Sequence, residues 1–298
     1  MSYIIHNARW YTEEREYNGS LLIQNGRIQA IKTNFSYYRY MKMNVSPFIL
    51  TPTHTMVDWH FPITGTKAEK ELYTRNHYLQ KGCTTVLQLL ELKYQFELEP
   101  TIGNARKSLM NNCVDFVLGL TCPARLITLE FIRKCKKWKI PIIRVQINSK
   151  EEIDQIKWSW VKQALYSYPI VFVPQFTKEI EKNRHESMSL YWQNTLNNDK
   201  IPFISTPFFQ YQVLSIDNLK KIGIYPKRGN FLVGGEVSYN LYDPKLNTKV
   251  EDKPMFHYDN HRLLLTSLRE KVVKLYDQTY FDETIGEEIT IQTPAFFI

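Results

Sequence analysis

Glycine is scarce, at 11 of 298 residues. That is few for an enzyme built from many tight strand-to-helix turns, where glycine is the residue that takes positive φ freely. The four cysteines, Cys83, Cys113, Cys122 and Cys135, show no C-x-x-C or other metal-type spacing. No run of about 18 apolar residues occurs, so no transmembrane helix is expected. The first residues, MSYIIHNARW, lack the basic-then-apolar pattern of a secretory signal. Reduced thiols in the cytoplasm are therefore the expectation. G-x-S-x-G, a Walker phosphate loop and H-E-x-x-H are all missing, which removes the commonest nucleophile, nucleotide and zinc-protease motifs.

What is present is a globular composition, 43% hydrophobic and 23% charged, rich in aromatics (19 Tyr, 16 Phe, 6 Trp). The formal charge is +8, which permits an anionic ligand or an acidic partner. The densest basic run, Arg133-Lys134-Cys135-Lys136-Lys137, falls at the end of an expected helix. Cations suit the negative pole of the helix dipole, so the run reads as a solvated helix end, and no nucleic-acid or membrane partner is expected.

In chain order, residues 3 to 32 read as short strands, with Asn25-Gly26 turning a hairpin. From Thr51 the pattern changes to alternating strands and helices. A helix is expected over 66–81, with Thr66 and Glu69 forming a capping box and Gly82 ending it. Strands follow at 83–90, 114–120, 140–147, 169–174 and 201–206. Helices are expected at 101–112, 126–138, 149–166 and 177–198, the third capped by Ser149 with Glu152. Such alternation implies a parallel sheet or barrel with helices outside. Six strands between Thr55 and Thr206 are too few for a complete eight-stranded barrel, which takes about 250 residues. An open sheet edge would invite pairing with another chain, so a homodimer or another protein partner is expected.

The organising stretch is Thr51 to Gly65, TPTHTMVDWHFPITG. Asp-x-His is a common way to end a barrel strand at a metal, the histidine binding the ion and the carboxylate shaping the site. Val57-Asp58-Trp59-His60 resembles the first-strand motif of the amidohydrolase superfamily, in particular its dihydroorotase and hydantoinase branch. Gly19 to Ile31 resembles the N-terminal hairpin of that group, and Leu79 to Val86 its entry to the second strand. The stretches Ile222 to Phe231 and Gly234 to Pro244 resemble its C-terminal block, with Glu236-Val237-Ser238 where relatives carry D-A-D. The resemblance covers about a third of the chain. It implies an α/β fold: a shortened or incomplete (β/α) TIM-like barrel at residues 51–225, plus a small β-sandwich built from both chain ends, residues 1–50 and 226–298.

The same resemblance implies metal-assisted hydrolysis, and the chain departs from what that needs. Asp58 and His60 match the first strand, but Pro62 stands at the second histidine. Arg144 stands where relatives carry the lysine that bridges two metals, and a guanidinium cannot form that carbamate. No histidine occurs in 169–176, and no acid near Ile204-Ser205-Thr206-Pro207. His185 reads as a surface residue, and the cysteines as inert buried thiols, with Cys122 set apart because it follows a strand at the functional face. The chain is thus expected to be a degenerate, inactive amidohydrolase homologue with a binding or scaffolding role and no required cofactor. The alternative is a surviving hydrolase of a cyclic amide or similar C–N bond, with one zinc or other divalent ion held by His60 and Asp58. A third expectation is an anionic small molecule bound in the barrel mouth at Arg144.

Overall fold

A computed structural model describes residues 2–11, 16–176, 182–244 and 262–296, with only the backbone of 182–185. His257 and His261 lie outside the described residues, as does the side chain of His185. In chain order the elements are β1 (Ser2–Tyr11), β2 (Glu16–Gln24), β3 (Arg27–Lys32), β4 (Met41–Asn44), β5 (Ile49–Pro52), β6 (His54–Asp58), α1 (Lys67–His77), β7 (Cys83–Glu91), α2 (Leu98–Leu109), β8 (Asp115–Pro123), α3 (Leu129–Lys137), β9 (Ile142–Ile147), α4 (Lys150–Gln155), α5 (Trp158–Leu165), β10 (Val171–Phe176), α6 (Lys182–Asp199), α7 (Ile216–Ile222), β11 (Tyr239–Asp243), β12 (Arg262–Leu268), β13 (Lys271–Leu275) and β14 (Gln278–Thr279).

Two sheets carry these strands. The terminal sheet has nine, in the order β14-β13-β12-β11-β5-β1-β2-β3 with β4 beside β1, and so draws on both ends of the chain. Its hairpin turn is Asn25-Gly26, both at positive φ (52° and 72°), as the tight two-residue turn between Gln24 and Arg27 demands. The central sheet is β10-β9-β8-β7-β6, every neighbouring pair parallel. This is the shortened barrel with an added layer of strands that the sequence implies.

The pleat of the central sheet sorts its residues into two cores. Met56, Val86, Leu90, Phe116, Leu118, Ile143 and Phe172 face the helices, among residues of α2, α3, α5 and α6. Val57, Leu87, Leu89, Val117, Ile142, Val171 and Val173 face the concave side, which is filled by Leu219 and Ile222 of α7 and by Ile289 and Ile291 near the chain end. The last residues, for which the sequence offered no role, are thus part of the barrel filling. Gly119 belongs to this inner face, and a Cβ there would come within 2.7 Å of Ile142 and of Leu89.

Local signals explain several boundaries. Thr66 and Glu69 form the expected capping box on α1, and Gly82, at φ 70°, closes the turn before β7. The helix expected over 149–166 is two helices, α4 and α5. Ile156 is extended between them, and the indole N–H of Trp158 donates to the Ile153 carbonyl at 3.0 Å, satisfying the end of α4. Glu152 does not cap through Ser149; its carboxylate accepts from the backbone N–H and side-chain amide of Asn148, both at 2.8 Å.

The sixth strand expected at 201–206 is reduced to a bridge, because Pro202 has no N–H to continue a ladder. Phe172 N–H donates to the Pro202 carbonyl and Ile204 N–H to the Phe172 carbonyl. The chain then crosses to the opposite edge. Tyr211 N–H donates to Val57, Val57 N–H to Gln212, and Leu214 N–H to Thr55. Residues 201–214 therefore form a strap that covers the outer edges of both β10 and β6, taking the place of missing strand-helix units.

The two sheets are tied together by polar contacts. Buried His54 of β6 meets the Tyr242 hydroxyl of β11 at 2.6 Å, and burial pushes its pKa down to about 3, so the imidazole is neutral. At the start of β8, fully buried Asp115 accepts from Arg228, from Arg269 in the turn between β12 and β13, and from the backbone N–H of Glu287.

Candidate functional site

Asp58 ends β6 with its carboxylate completely buried, on the helix-facing side of the sheet. Four donors converge on it. Oδ1 accepts from the His60 backbone N–H at 2.7 Å, from the Tyr73 hydroxyl at 3.2 Å and from the Gln210 amide, and Oδ2 accepts from the Tyr78 hydroxyl. A carboxylate offers about two lone-pair sites on each oxygen, so Oδ1 is fully used and Oδ2 keeps one acceptor position. Burial and the Asp58 charge push the hydroxyl pKa values of Tyr73 and Tyr78 well up, which keeps both protonated as donors.

The donors come from elements that local sequence places beside β6. Tyr73 lies on α1, and Tyr78 follows the end of that helix. Gln210 comes from the strap, and its amide oxygen also accepts from the Trp59 backbone N–H at 3.3 Å. Tyr211, next in the strap, bonds Tyr73 through the two hydroxyls at 2.7 Å, stacks on the His77 ring at 4.8 Å and lies under the Lys81 ammonium at 4.7 Å. Asp58 is thus the hub of a latch that pins the strap to β6 and α1.

Arg144, on β9, lies across the sheet from Asp58. Its side chain alternates with Ile142 onto the concave face, as does Trp59 with Val57. The guanidinium carbon sits 3.8 Å from the centre of the Trp59 ring, a cation–π contact, and Nε donates to Thr121 Oγ1 at 3.0 Å. Arg144 is 4% exposed, and burial pushes its pKa down to about 10, so it stays charged near neutrality. Among the described residues its two terminal nitrogens make no hydrogen bond. Glu91 opposes the loss of charge but forms no ion pair with it; its carboxylate accepts from Gln146 at 3.4 Å. Beside Arg144 the register brings Gln175 against Gln146, and the Gln175 amide oxygen is buried without a partner among the described residues. These groups mark the C-terminal ends of the strands, the end where barrel enzymes place their chemistry.

Of the residues the sequence singled out, Asp58 and His60 are neighbours at one strand end, but Arg144 is on the opposite face from Asp58. The His60 ring is exposed and packs edge-on against Trp59, centroids 5.9 Å apart. Cys122 faces the helices, fully buried, and burial pushes its thiol pKa far up, so it is an inert core residue. Tyr73, Tyr78, Gln210 and Trp59 were not singled out from the sequence. The available signal was a buried acid at a strand end, which demands donors, but nothing in the spacing says that they come from 15 residues on and from the far strap.

Compared with solved structures, the chain aligns over nearly its whole length with one group of enzymes. The dihydropyrimidinase of Brevibacillus agri NCHU1002 matches at a TM-score of 0.62 and 10% identity, covering 98% of this chain and 99% of that one. The D-hydantoinase of Bacillus sp. AR9 matches at 0.70 and 8% identity with the same coverage. The chain has the amidohydrolase fold. Another amidohydrolase-fold structure, an atrazine chlorohydrolase from Arthrobacter aurescens TC1 solved with zinc, matches at 0.56 and 10% identity over 93% of this chain and 96% of that one. By sequence, no family model and no curated protein matches.

The amidohydrolase fold implies a divalent ion, and the described residues at this chain's strand ends do not fit one. Asp58 already accepts four hydrogen bonds and faces the helices, Pro62 offers no donor atom, and Arg144 brings a fixed positive charge to the concave mouth. Among the described residues, no three His, Cys, Asp or Glu side chains converge.

Proposed function

We propose that this amidohydrolase-fold chain is a binding protein in which the hydrolytic centre has been replaced, with a small anion held at Arg144 in the barrel mouth. The carrying observation is the hydrogen bonding of Asp58: the carboxylate that would shape a metal site instead accepts from four donors and latches the strap to the barrel. A buried arginine supports the anion: its two terminal nitrogens carry spare donors, and its charge is met only by the Trp59 ring and the neutral Thr121 hydroxyl.

Metal content is the direct test. Protein incubated with zinc and desalted is expected to retain far less than one ion per chain and to leave hydantoin and dihydrouracil unhydrolysed. One tightly held ion per chain, lost in His60→Ala, would overturn the reading in favour of a one-metal C–N hydrolase.

The anion site has its own readout. Inorganic phosphate, compared with chloride at equal ionic strength, is expected to raise the thermal midpoint by a few degrees. At ten times its dissociation constant a ligand stabilises by about 1.4 kcal/mol. Arg144→Ala is expected to abolish the rise. Equal rises in both proteins would remove Arg144 from the site.

A further inference from the structure

A cavity of about 550 Å³ opens on the outer side of the barrel between the end of β8, α3 and the α4–α5 bend. Its volume falls within the range of small-molecule sites. The floor is apolar, formed by Ala124, Ile127, Ile156 and Val161, all buried. One wall is Trp160, a residue 58% exposed. An indole left in water over an apolar floor is a costly arrangement that a ligand ring would relieve.

The rim charges are unequal in what they have to do. Glu130 pairs with Lys134 at 2.9 Å and accepts from Gln95 at 2.8 Å, whereas Glu152 accepts from the neutral Asn148 and keeps its charge. The side-chain cations of Arg133 and Lys157 are exposed and make no hydrogen bond or ion pair among the described residues. Arg125 uses one nitrogen on the Lys93 carbonyl and its plane on the Tyr94 ring. The cations Arg125, Arg133 and Lys157 outnumber the acids Glu130 and Glu152, so the rim is net positive around an apolar floor with an aromatic wall.

We propose that this cavity is a binding site for a small amphipathic anion, a planar apolar body carrying one acidic group. The body lies on Ile127, Ile156 and Val161 against Trp160, and the acidic group meets Arg133 and Lys157. The site is separate from the barrel mouth and does not depend on the reading of Arg144. Its formation follows from the broken helix: the turn at Ile156-Lys157 puts Lys157 on the rim and sends Trp160 up one side.

The probe is 1-anilinonaphthalene-8-sulfonate, followed by its own fluorescence on the folded protein. One saturable site per chain is expected. Arg133→Glu/Lys157→Glu and Trp160→Ala are each expected to weaken binding on the order of tenfold. The exposed pair Lys42→Glu/Lys107→Glu, which makes the same change in net charge elsewhere, is expected to leave it unchanged. The uncharged N-phenyl-1-naphthylamine is expected to bind more weakly than the sulfonate. Equal binding of the two dyes, or no effect of the rim and wall variants, would overturn the proposal. Loss of binding in Arg144→Ala would place the dye in the barrel mouth and overturn it as well. Capture of polyglutamate at the same residues without dye binding would replace the small ligand by an acidic protein surface.

Discussion

Asp58→Ala is expected to lower the unfolding free energy in urea by about 4 kcal/mol, while His60→Ala changes it by less than about 0.5 kcal/mol. The truncation leaves the Tyr78 hydroxyl, the Tyr73 hydroxyl, the Gln210 amide and the His60 N–H without their shared acceptor. A buried donor stripped of its partner costs roughly 1–3 kcal/mol, and bonds to a charged acceptor are the stronger kind. Tyr73 retains Tyr211, and the His60 N–H lies near solvent, so the sum stays below four full penalties. Asp58→Asn keeps the shape but loses the charge and one acceptor, and should cost about half as much. The His60 ring is exposed and its removal disturbs little. Losses of equal and small size in both variants would sink the latch. In a metal site the two substitutions would fall together on activity and metal retention, with stability secondary, so the pair separates the two roles.

The second large effect is expected at the other end of the barrel. Asp115→Ala should cost about 3 kcal/mol, read from the urea midpoint at constant m-value. Asp115 is fully buried and holds two guanidinium groups: Arg228 through Oδ2 at 2.6 Å, and Arg269 through Oδ1 at 2.9 Å. Removing one partner of a buried pair strands the other charge, at a cost of about 3–5 kcal/mol. The low end applies because Glu236 and Glu287 remain in reach, with Arg228 Nη1 to Glu236 at 3.1 Å and Arg269 Nη1 to Glu287 at 3.1 Å. Arg228 is 6% exposed and has little access to water in compensation. A loss below about 1 kcal/mol would show that the surrounding acids replace Asp115 fully, and that the network is not what joins β8 to the terminal sheet.

Elements with a local cause could be read directly from the sequence. Thr66 with Glu69 and the Asn25-Gly26 hairpin each set a boundary through a cap or turn that is complete within a few residues. Elements with a distant cause could not. Residues 201–206 have the composition of a strand, but their partner is one edge of a sheet and Pro202 limits the pairing to a bridge. The bend at Ile156 depends on an indole turning back to the Ile153 carbonyl.

The site divides along the same line. Asp58, His60 and Arg144 could be picked out as residues, and the absence of the second histidine at Pro62 was visible. Which face each side chain takes, and that tyrosines and a glutamine occupy the carboxylate, is tertiary information. Asp115 carried a readable hint, a charge inside the apolar run Val114-Asp115-Phe116, which a buried strand tolerates only with a partner. The identity of that partner was not in the run.

The strap also dictates an order of events during synthesis. β6 is made early, yet the residues that cover its outer edge, Tyr211 to Leu214, are among the last third of the chain, and β5 of the terminal sheet waits still longer for β11. Until the ribosome has released that region, the growing chain carries a parallel sheet with two bare edges and an unfilled apolar concave side. Pairings across such long sequence separations form slowly, and bare edges are where nascent chains stick to one another. The yield of this protein in a cell should therefore depend more on chaperones that shield incomplete chains than on the stability of the finished fold.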